Sequence, residues 1–449
     1  MQNIAIKQIL GYLSATTSSE FNYDGLISGV VIDSRQVQSD VLFVAIAGDN
    51  QDGHDYVKNI VLNNNCFALV NKNFTEKLPN LIYVDDPVLA LGQLAARYRD
   101  GFTIPVVAIT GSNGKTTVKE MLRNILQLKY GIEKVLVTAG NLNNHLGVPL
   151  TLCKLNTCHQ VAVIEMGMNH SGEIDYLANL VKPTIAAINN VLLAHAGHFN
   201  GISGIAKAKG EIYHGLGDGV ACVNVSSEFA NLWLEQDITT QQVFSYGAAD
   251  TRCYIKQITL QSAIYVTPLG EVEISLQILG QHNYFNALTV IVLAINLGCN
   301  LTEIKLGLDN YAGYKGRLEQ KVAFNGAIII DDTYNANPDS VKSALSAIQV
   351  FKQVKWFIFA DLKELGSDEI EIHQKLVKEI AAANINKLIT VGNLAKQTSD
   401  KFAGDKLHFE NNEDVVEYCL ENLPQDALLL VKASNSMRLF DIVNKIVKK

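Results

Sequence analysis

The stretch that most constrains this chain runs from Ile104 to Leu128. It begins Ile104-Pro-Val-Val-Ala-Ile-Thr110, continues Gly111-Ser-Asn-Gly-Lys-Thr-Thr117, and ends in an amphipathic run from Val118 to Leu128. The first part is a short apolar run ended by glycine, the pattern of a buried strand. In the last, Val118, Met121, Leu122, Ile125 and Leu126 recur at helical spacing. Between them lies a loop suited to phosphate. Gly111 and Gly114 let backbone N–H groups turn inward, Lys115 brings a positive charge, and Thr116 brings a hydroxyl for Mg²⁺. The helix N-terminus adds its dipole. The spacing G-x-x-G-K-T-T lacks the first glycine of the Walker pattern, whose place falls on Ile109 in the strand. The strand before it and Lys-Thr-Thr at the helix start make phosphate binding the better reading than a simple turn.

The strand–helix alternation continues from about 103 to 316, which predicts a parallel sheet. Val161-Ala-Val-Ile164 is an apolar strand ending at Glu165, and Ile185-Ala-Ala-Ile188 leads through Asn189 towards His195. Ligands of open α/β sheets collect beyond the carboxyl ends of the strands. Glu165 and His195 therefore fall near a nucleotide held by Lys115, where they could hold Mg²⁺ or its waters. A strand-end glutamate capping a loop fits the same pattern. Residues 202 to 213 form a short helical pattern in which Lys209 shares a face with Ile205 and Ile212. Residues 220 to 280 have strand character. Gly280-Gln-His-Asn283 then opens an apolar helix, where Asn283 fits either a cap or a nucleotide contact.

Two further units flank this one. Residues 1 to 102 show four apolar strand runs and two polar clusters, Asp33-Ser-Arg35 and Gly48-Asp-Asn-Gln-Asp-Gly-His-Asp55, which taken alone suit turns. Residues 317 to 449 alternate strand and helix again, with Asn337 as the expected N-cap before Pro338. A length of 449 residues agrees with about three domains of roughly 150 each. The net charge of −8 argues against a nucleic-acid surface, so an anionic substrate must be held by local groups. No apolar run reaches the length of a membrane span. No basic-then-apolar leader opens the sequence. The seven cysteines form no C-x-x-C pair. Reduced thiols in a cytoplasmic protein are expected.

Taken together, the motifs resemble the Mur ligase family of peptidoglycan assembly. The resemblance rests on Thr110-Gly-Ser-Asn-Gly-Lys-Thr-Thr117, Glu165-Met-Gly167, and Gly280-Gln-His-Asn283 with Asn286. Further marks point to the branch that adds D-alanyl-D-alanine to UDP-N-acetylmuramoyl-tripeptide. They are Asp33-Ser-Arg35 with Phe43-Val-Ala45 and Asp52-Gly-His54, Gly140-Asn-Leu-Asn-Asn144, Gly316-Arg-Leu-Glu319, and Asp331-Asp-Thr-Tyr-Asn-Ala-Asn-Pro338. The branch that adds the third amino acid carries Asn-Pro-Arg. Here Asn337-Pro338 is followed by Asp339. Two runs depart from the family pattern. Gly-Asp-Met-x-Glu-Leu-Gly appears as Ala360-Asp-Leu-Lys-Glu-Leu-Gly366, and Lys-Gly-Ser-Arg as Lys432-Ala-Ser-Asn435.

The resemblance implies an α/β protein of three domains. A small α/β N-terminal domain (1–102) would grip the uridine diphosphate through Ser34 and Arg35. A central parallel-sheet P-loop ATPase domain (103–316) would bind ATP. A Rossmann-like C-terminal α/β domain (317–449) would close over the site and bring the dipeptide. The tripeptide carboxylate would attack the γ-phosphate of ATP, and the dipeptide amine would then attack the acyl phosphate. Thr110, Gly111, Ser112, Asn113, Gly114, Lys115, Thr116 and Thr117 would surround the phosphates, with Arg317 as a γ-phosphate contact. Asn283, Asp332, Tyr334 and Asn335 would lie towards the nucleoside. Thr116 and Glu165 would hold one Mg²⁺, and His195 with Lys209 a second. Asn141, Asn143 and Asn144 would touch the muramoyl substrate.

For Lys209, two readings compete: a side chain that snorkels to water, or a buried amine. The match of Ala208-Lys-Gly-Glu-Ile212 to the family implies the second, with Lys209 carbamylated and acting as a metal ligand. A monomer in the cytoplasm, without nucleic-acid partner or membrane span, is expected. The alternatives are another amide ligase of this kind, either third-residue-adding or resembling folylpolyglutamate synthase, and an ATP-binding protein without ligase activity.

Overall fold

A computed structural model describes residues 3–48, 51–63, 66–192, 199, 201–259 and 261–448. Three α/β units follow one another along the chain. In the first, strands Gly29–Val31, Val41–Val44, Phe67–Asn71 and Leu81–Val84 run parallel, and Thr16–Thr17 closes the edge antiparallel. Every residue of Val41–Val44 is buried, as expected of a strand covered on both faces.

The central sheet has six parallel strands in the order Val243–Tyr246, Val220–Asn224, Ile185–Ile188, Val106–Thr110, Val161–Glu165, Val135–Val137. The chain crosses from one side of Val106–Thr110 to the other, so that strand sits at the switch point. Register aligns the three central carboxyl ends: Glu165 pairs with Ile109, and Ile188 with Thr110. The helix Lys115–Tyr130 starts directly beyond, burying Val118, Met121, Leu122, Ile125 and Leu126 against the apolar helix His282–Asn296. Both helices were expected, as was Gly201–Gly210 with its 3-10 extension Glu211–Tyr213.

The strand character expected from 220 to 280 is interrupted by a helix, Ala230–Gln236. Ala230 and Trp233 give it a one-sided apolar face, and the Trp233 indole donates to the Ala206 carbonyl at 2.9 Å. The rest of that stretch is an antiparallel three-stranded sheet, Tyr254–Ile258, Ala263–Thr267 and Gly270–Ile274.

The third unit orders its strands Glu319–Val322, Ile328–Asp332, Ala427–Lys432, Val354–Ala360, Lys387–Val391, Asp405–Phe409, with only the first antiparallel to its neighbour. Asn337 caps the helix Pro338–Ala347 by accepting from Ser340 N.

One apolar core runs without a break from the first unit into the central one. Ile4, Leu42, Leu69 and Ile82 join Leu91, Leu94, Val106, Ile164 and Ile174. The helix Pro87–Arg99 forms the bridge, and the Arg99 Nε donates to the Val181 carbonyl at 3.0 Å. The third unit builds its own clusters on the two faces of its sheet. All seven cysteines are free thiols, and only Cys158 is exposed. Among the described residues, no helix is long and apolar enough to cross a membrane.

Candidate active site

The phosphate loop is shaped by asparagines from two other elements. Gly114 adopts φ 78°, and a Cβ there would lie 2.5 Å from Asn286 Oδ1 and 2.7 Å from Asn189 Nδ2. A side chain does not fit, so the glycine is required by both conformation and space. Asn189 Nδ2 donates to the Asn113 carbonyl at 3.0 Å and to Asn286 Oδ1 at 2.8 Å. Asn286 Nδ2 donates in turn to Asn283 Oδ1 at 2.9 Å, and Asn283 Nδ2 to the Leu279 carbonyl at 2.6 Å. Asn283 is therefore no helix cap: it braces the loop from behind and also lines the cleft. On the other side, Asn190 Oδ1 accepts from Asn113 N at 2.9 Å, and the Asn190 carbonyl accepts from Ser112 N at 3.0 Å.

Lys115 bends back across this loop. Its ammonium donates to the carbonyls of Gly111 at 2.6 Å and Ser112 at 3.3 Å. Burial lowers its pKa, opposed by the charge of Glu165. Thr110 sits just behind and is fully buried; its hydroxyl donates to the Met166 carbonyl at 2.9 Å, tying the loop strand to the segment after Glu165. It supports the loop from the strand and does not line the cleft.

Glu165 ends its strand almost wholly buried, at 1 % exposure. Oε1 accepts from Asn143 Nδ2 at 2.9 Å and from the Thr116 hydroxyl at 3.3 Å. Oε2 has no hydrogen-bond partner among the described residues and lies 3.6 Å from the Lys119 ammonium. A buried carboxylate oxygen with an open lone pair, beside a threonine hydroxyl at a phosphate loop, fits a divalent cation. Such a hard cation takes oxygen ligands, and nucleotide phosphates and water would complete its shell.

Lys209 is buried at 3 % exposure on the face shared with Ile205 and Ile212. Burial and the nearby positive charge of Lys115 push its pKa well below the ordinary lysine value. The side chain does not snorkel to water. His195 lies outside the described residues.

The third unit closes the cleft. Arg317 Nη2 donates to the Thr116 hydroxyl at 3.0 Å, and its guanidinium stacks over the Tyr334 ring at 4.2 Å. Asp332 is the register partner of Lys432 and forms a buried ion pair with it; Lys432 also donates to the Asn335 carbonyl at 3.1 Å. Asn435 Nδ2 donates to the Tyr334 carbonyl at 2.9 Å. The cavity so formed holds about 480 Å³ and is lined by Lys115, Asn141, Arg317, Asp332, Asn335 and Asn435, among others.

The three loop asparagines part company. Asn141 lines the cleft and Asn143 orients Glu165. Asn144 Oδ1 accepts from Leu146 N and Gly147 N, which opens the short helix Gly147–Leu152. Ser34 and Arg35 lie in the first unit, outside this cleft. Arg35 grips Asp33 with two bonds, Nε to Oδ1 at 2.9 Å and Nη2 to Oδ2 at 2.7 Å. Asp33 also accepts from Arg35 N, so it caps the turn Ser34–Gln36, and its pKa falls to about 2.

The motifs did not single out Lys119, Asn189 or Asn190, and Lys432 stands in the run Lys432-Ala-Ser-Asn435 without a role of its own. Only Lys119 left a local signal: its spacing to Leu122 and Leu126 places it on an apolar helical face, as with Lys209.

Known proteins match this chain along most of its length. The family description "Mur ligase family, catalytic domain" matches residues 26–99, "Mur ligase middle domain" 109–294, and "Mur ligase, glutamate ligase domain" 316–435. The UDP-N-acetylmuramoyl-tripeptide–D-alanyl-D-alanine ligase of Haemophilus influenzae is 37% identical over 429 residues, covering 93% of both chains. The Escherichia coli ligase of the same name is 34% identical, covering 94% of each. A crystal structure of MurF from Acinetobacter baumannii superposes with a TM-score of 0.89 at 33% identity, covering 98% of each chain. Matches this extensive, in a fold that brings a phosphate loop, a buried strand-end carboxylate and a third-domain arginine to one cleft, show that the chain belongs to the Mur ligase family.

Proposed function

We propose that this chain is an ATP-dependent, ADP-forming ligase that joins D-alanyl-D-alanine to UDP-N-acetylmuramoyl-tripeptide during peptidoglycan precursor synthesis. The observation that carries the reading is the contact of Arg317 with Thr116: a cation from the third domain meets the phosphate loop of the second. Relatives with that activity in their names match the chain over more than nine-tenths of both lengths.

A carboxylate does not couple to an amine at neutral pH without activation. In the first step the tripeptide carboxylate oxygen bonds to the γ-phosphorus, and the bond from that phosphorus to the β-γ bridging oxygen breaks, leaving ADP. In the second, the dipeptide nitrogen bonds to the acyl carbon, phosphate leaves, and the amine loses a proton. The first step brings anions together, so positive charge must come from the protein. Lys115 would leave its loop carbonyls to meet the β- and γ-phosphates, and Arg317 would meet the γ-phosphate from the opposite wall. Thr116 and Glu165 would hold a Mg²⁺, which when bound neutralises phosphate charge. Asn283, Asp332, Tyr334 and Asn335 would lie towards the nucleoside, Asn141 towards the muramoyl peptide, and Ser34 with Arg35 towards the uridine diphosphate.

Lys209 would act as a carbamate. Burial and the charge of Lys115 favour the neutral amine, which adds to CO₂ and releases a proton. The product is an anion able to serve a second Mg²⁺, with His195 as the partner implied by family resemblance. The enzyme would work as a cytoplasmic monomer.

The test is phosphate release from ATP with UDP-muramoyl-tripeptide, with and without D-alanyl-D-alanine. Release that needs both is expected. Nucleotide binding without dipeptide-dependent release would instead identify an ATP-binding protein that is not a ligase.

A further inference from the structure

Lys119 is the most deeply buried cation of the central unit, at 0 % exposure, and the chemistry above does not use it. It stands one turn into the helix that follows the phosphate loop. A buried ammonium needs all three of its protons bonded. Its Nζ donates to the Thr138 carbonyl at 2.8 Å and the Gly140 carbonyl at 3.0 Å, and lies 3.2 Å from Glu120 Oε1 and 3.6 Å from Glu165 Oε2. The two hydrogen-bond acceptors among these four neighbours are backbone carbonyls of one loop, the loop that continues into Asn141, Asn143 and Asn144.

That loop has several ties to the site. Thr138 Oγ1 accepts from Glu165 N at 3.0 Å. Asn143 Nδ2 donates to Glu165 Oε1, and Asn141 lines the cleft. Gly140 stands at φ 55°, so the chain turns sharply just where Lys119 holds it. The loop otherwise crosses from the end of the strand Val135–Val137 to the helix Gly147–Leu152. Lys119 thus links the nucleotide helix to the only one of these asparagines that faces the cavity.

We infer that Lys119 is a positioning residue for the muramoyl-peptide substrate: it anchors the Thr138–Gly140 backbone so that Asn141 reaches the cleft and Asn143 holds Glu165. The inference rests on the ligase reading above, because it takes the cleft beside Asn141 to be the acceptor side of the site. The phosphate loop itself is held by Asn189, Asn190 and Asn286, none of which touches Lys119. Loss of Lys119 therefore acts on the muramoyl substrate and on Glu165, and leaves the loop that grips the nucleotide phosphates in place.

The experiment is a pair of calorimetric titrations on the full chain, one with UDP-N-acetylmuramoyl-tripeptide and one with ADP in the absence of divalent cation. For Lys119→Met the tripeptide Kd rises by about tenfold or more, the usual scale for losing a group that orients a site residue. The ADP Kd stays within about twofold of the wild type. Equal losses for both ligands would mark a structural role only and overturn the inference, as would an unchanged tripeptide Kd in a folded variant. Removing one partner of a buried ion pair can unfold a protein. Lys119→Met/Glu120→Gln removes one buried charge of each sign and is read in the same two titrations if the single variant does not fold. Glu120→Gln alone keeps both carbonyl anchors and should bind the tripeptide as the wild type does; a rise equal to that of the double variant would assign the effect to Glu120 and overturn the inference. Wild-type protein that binds neither ligand would refute the ligase reading itself, a result separate from any difference between variants.

Discussion

Asn113 and Asn337 exchange a reciprocal pair of amide hydrogen bonds across the cleft, Asn337 Nδ2 to Asn113 Oδ1 at 2.7 Å and Asn113 Nδ2 to Asn337 Oδ1 at 3.3 Å. Asn113 belongs to the phosphate loop, whereas Asn337 caps a helix of the third domain. One side chain therefore does two things: it ends a helix and clasps the nucleotide loop.

Substitution separates the two. Asn337→Asp keeps a good N-cap but loses the amide donor towards Asn113. Its stability should stay within about 0.5 kcal/mol of wild type. Its kcat/KM for ATP should fall about fivefold, the worth of one net hydrogen bond near 1 kcal/mol. Asn337→Ala loses both bonds, so its kinetic loss should be at least as large, and it should also lose about 1 kcal/mol of stability. An unchanged kcat/KM for ATP in Asn337→Asp would remove the clasp from the catalytic cycle. Denaturant melts and initial rates decide it.

Lys115→Ala should leave the fold intact and lower turnover by at least on the order of 10²–10³. Among the described residues its ammonium bonds only to loop carbonyls, so no core contact is lost. Near-normal phosphate release by the folded variant would sink the phosphate-loop assignment.

Lys209→Ala should lose most activity, and acetate should restore part of it by supplying a carboxylate in the gap. The pH dependence has a definite sign. The lowered pKa keeps the amine neutral at a pH where an ordinary lysine is charged, and acid reprotonates it. Protonation blocks carbamate formation, so at fixed CO₂ activity should fall as pH drops through the lowered pKa. Carbon-13 NMR with labelled bicarbonate reads the carbamate directly, and its absence from an active enzyme at neutral pH would count against the modification.

Asn435 lines the cleft, and its amide is engaged with the Tyr334 carbonyl. The family pattern has arginine there, a group able to grip a carboxylate with two bonds. Asn435→Arg should lower the KM for D-alanyl-D-alanine. If the dipeptide KM does not move, the position does not face that substrate.

The sequence made the phosphate loop and its helix legible because both rest on local spacing; spacing put Lys209 on an apolar face, and the family resemblance decided for burial over snorkelling. Glu165 could be placed because a strand end in a parallel sheet points at the ligand side. Asn189, Asn190 and Lys432 were not legible as site-builders. They act through partners 76, 77 and 100 positions away, and no local pattern encodes such a pairing. The helix Ala230–Gln236 was missed for another reason: it is only 7 residues long, too short for its period to stand out between strands. Asp33-Ser-Arg35 suits turn chemistry in the sequence, and Asp33 does cap the turn Ser34–Gln36, with the paired guanidinium at the surface.

The core shared by the first two units has a consequence for how the molecule comes apart. A domain with its own core can melt alone, whereas units that share one must melt together. The first two units should therefore lose structure in a single cooperative transition. The third, whose apolar clusters form on its own sheet, should give a second. ATP, touching both walls of the cleft, should draw the two transitions together. A calorimetric trace would then report the joining of the walls without any chemistry taking place.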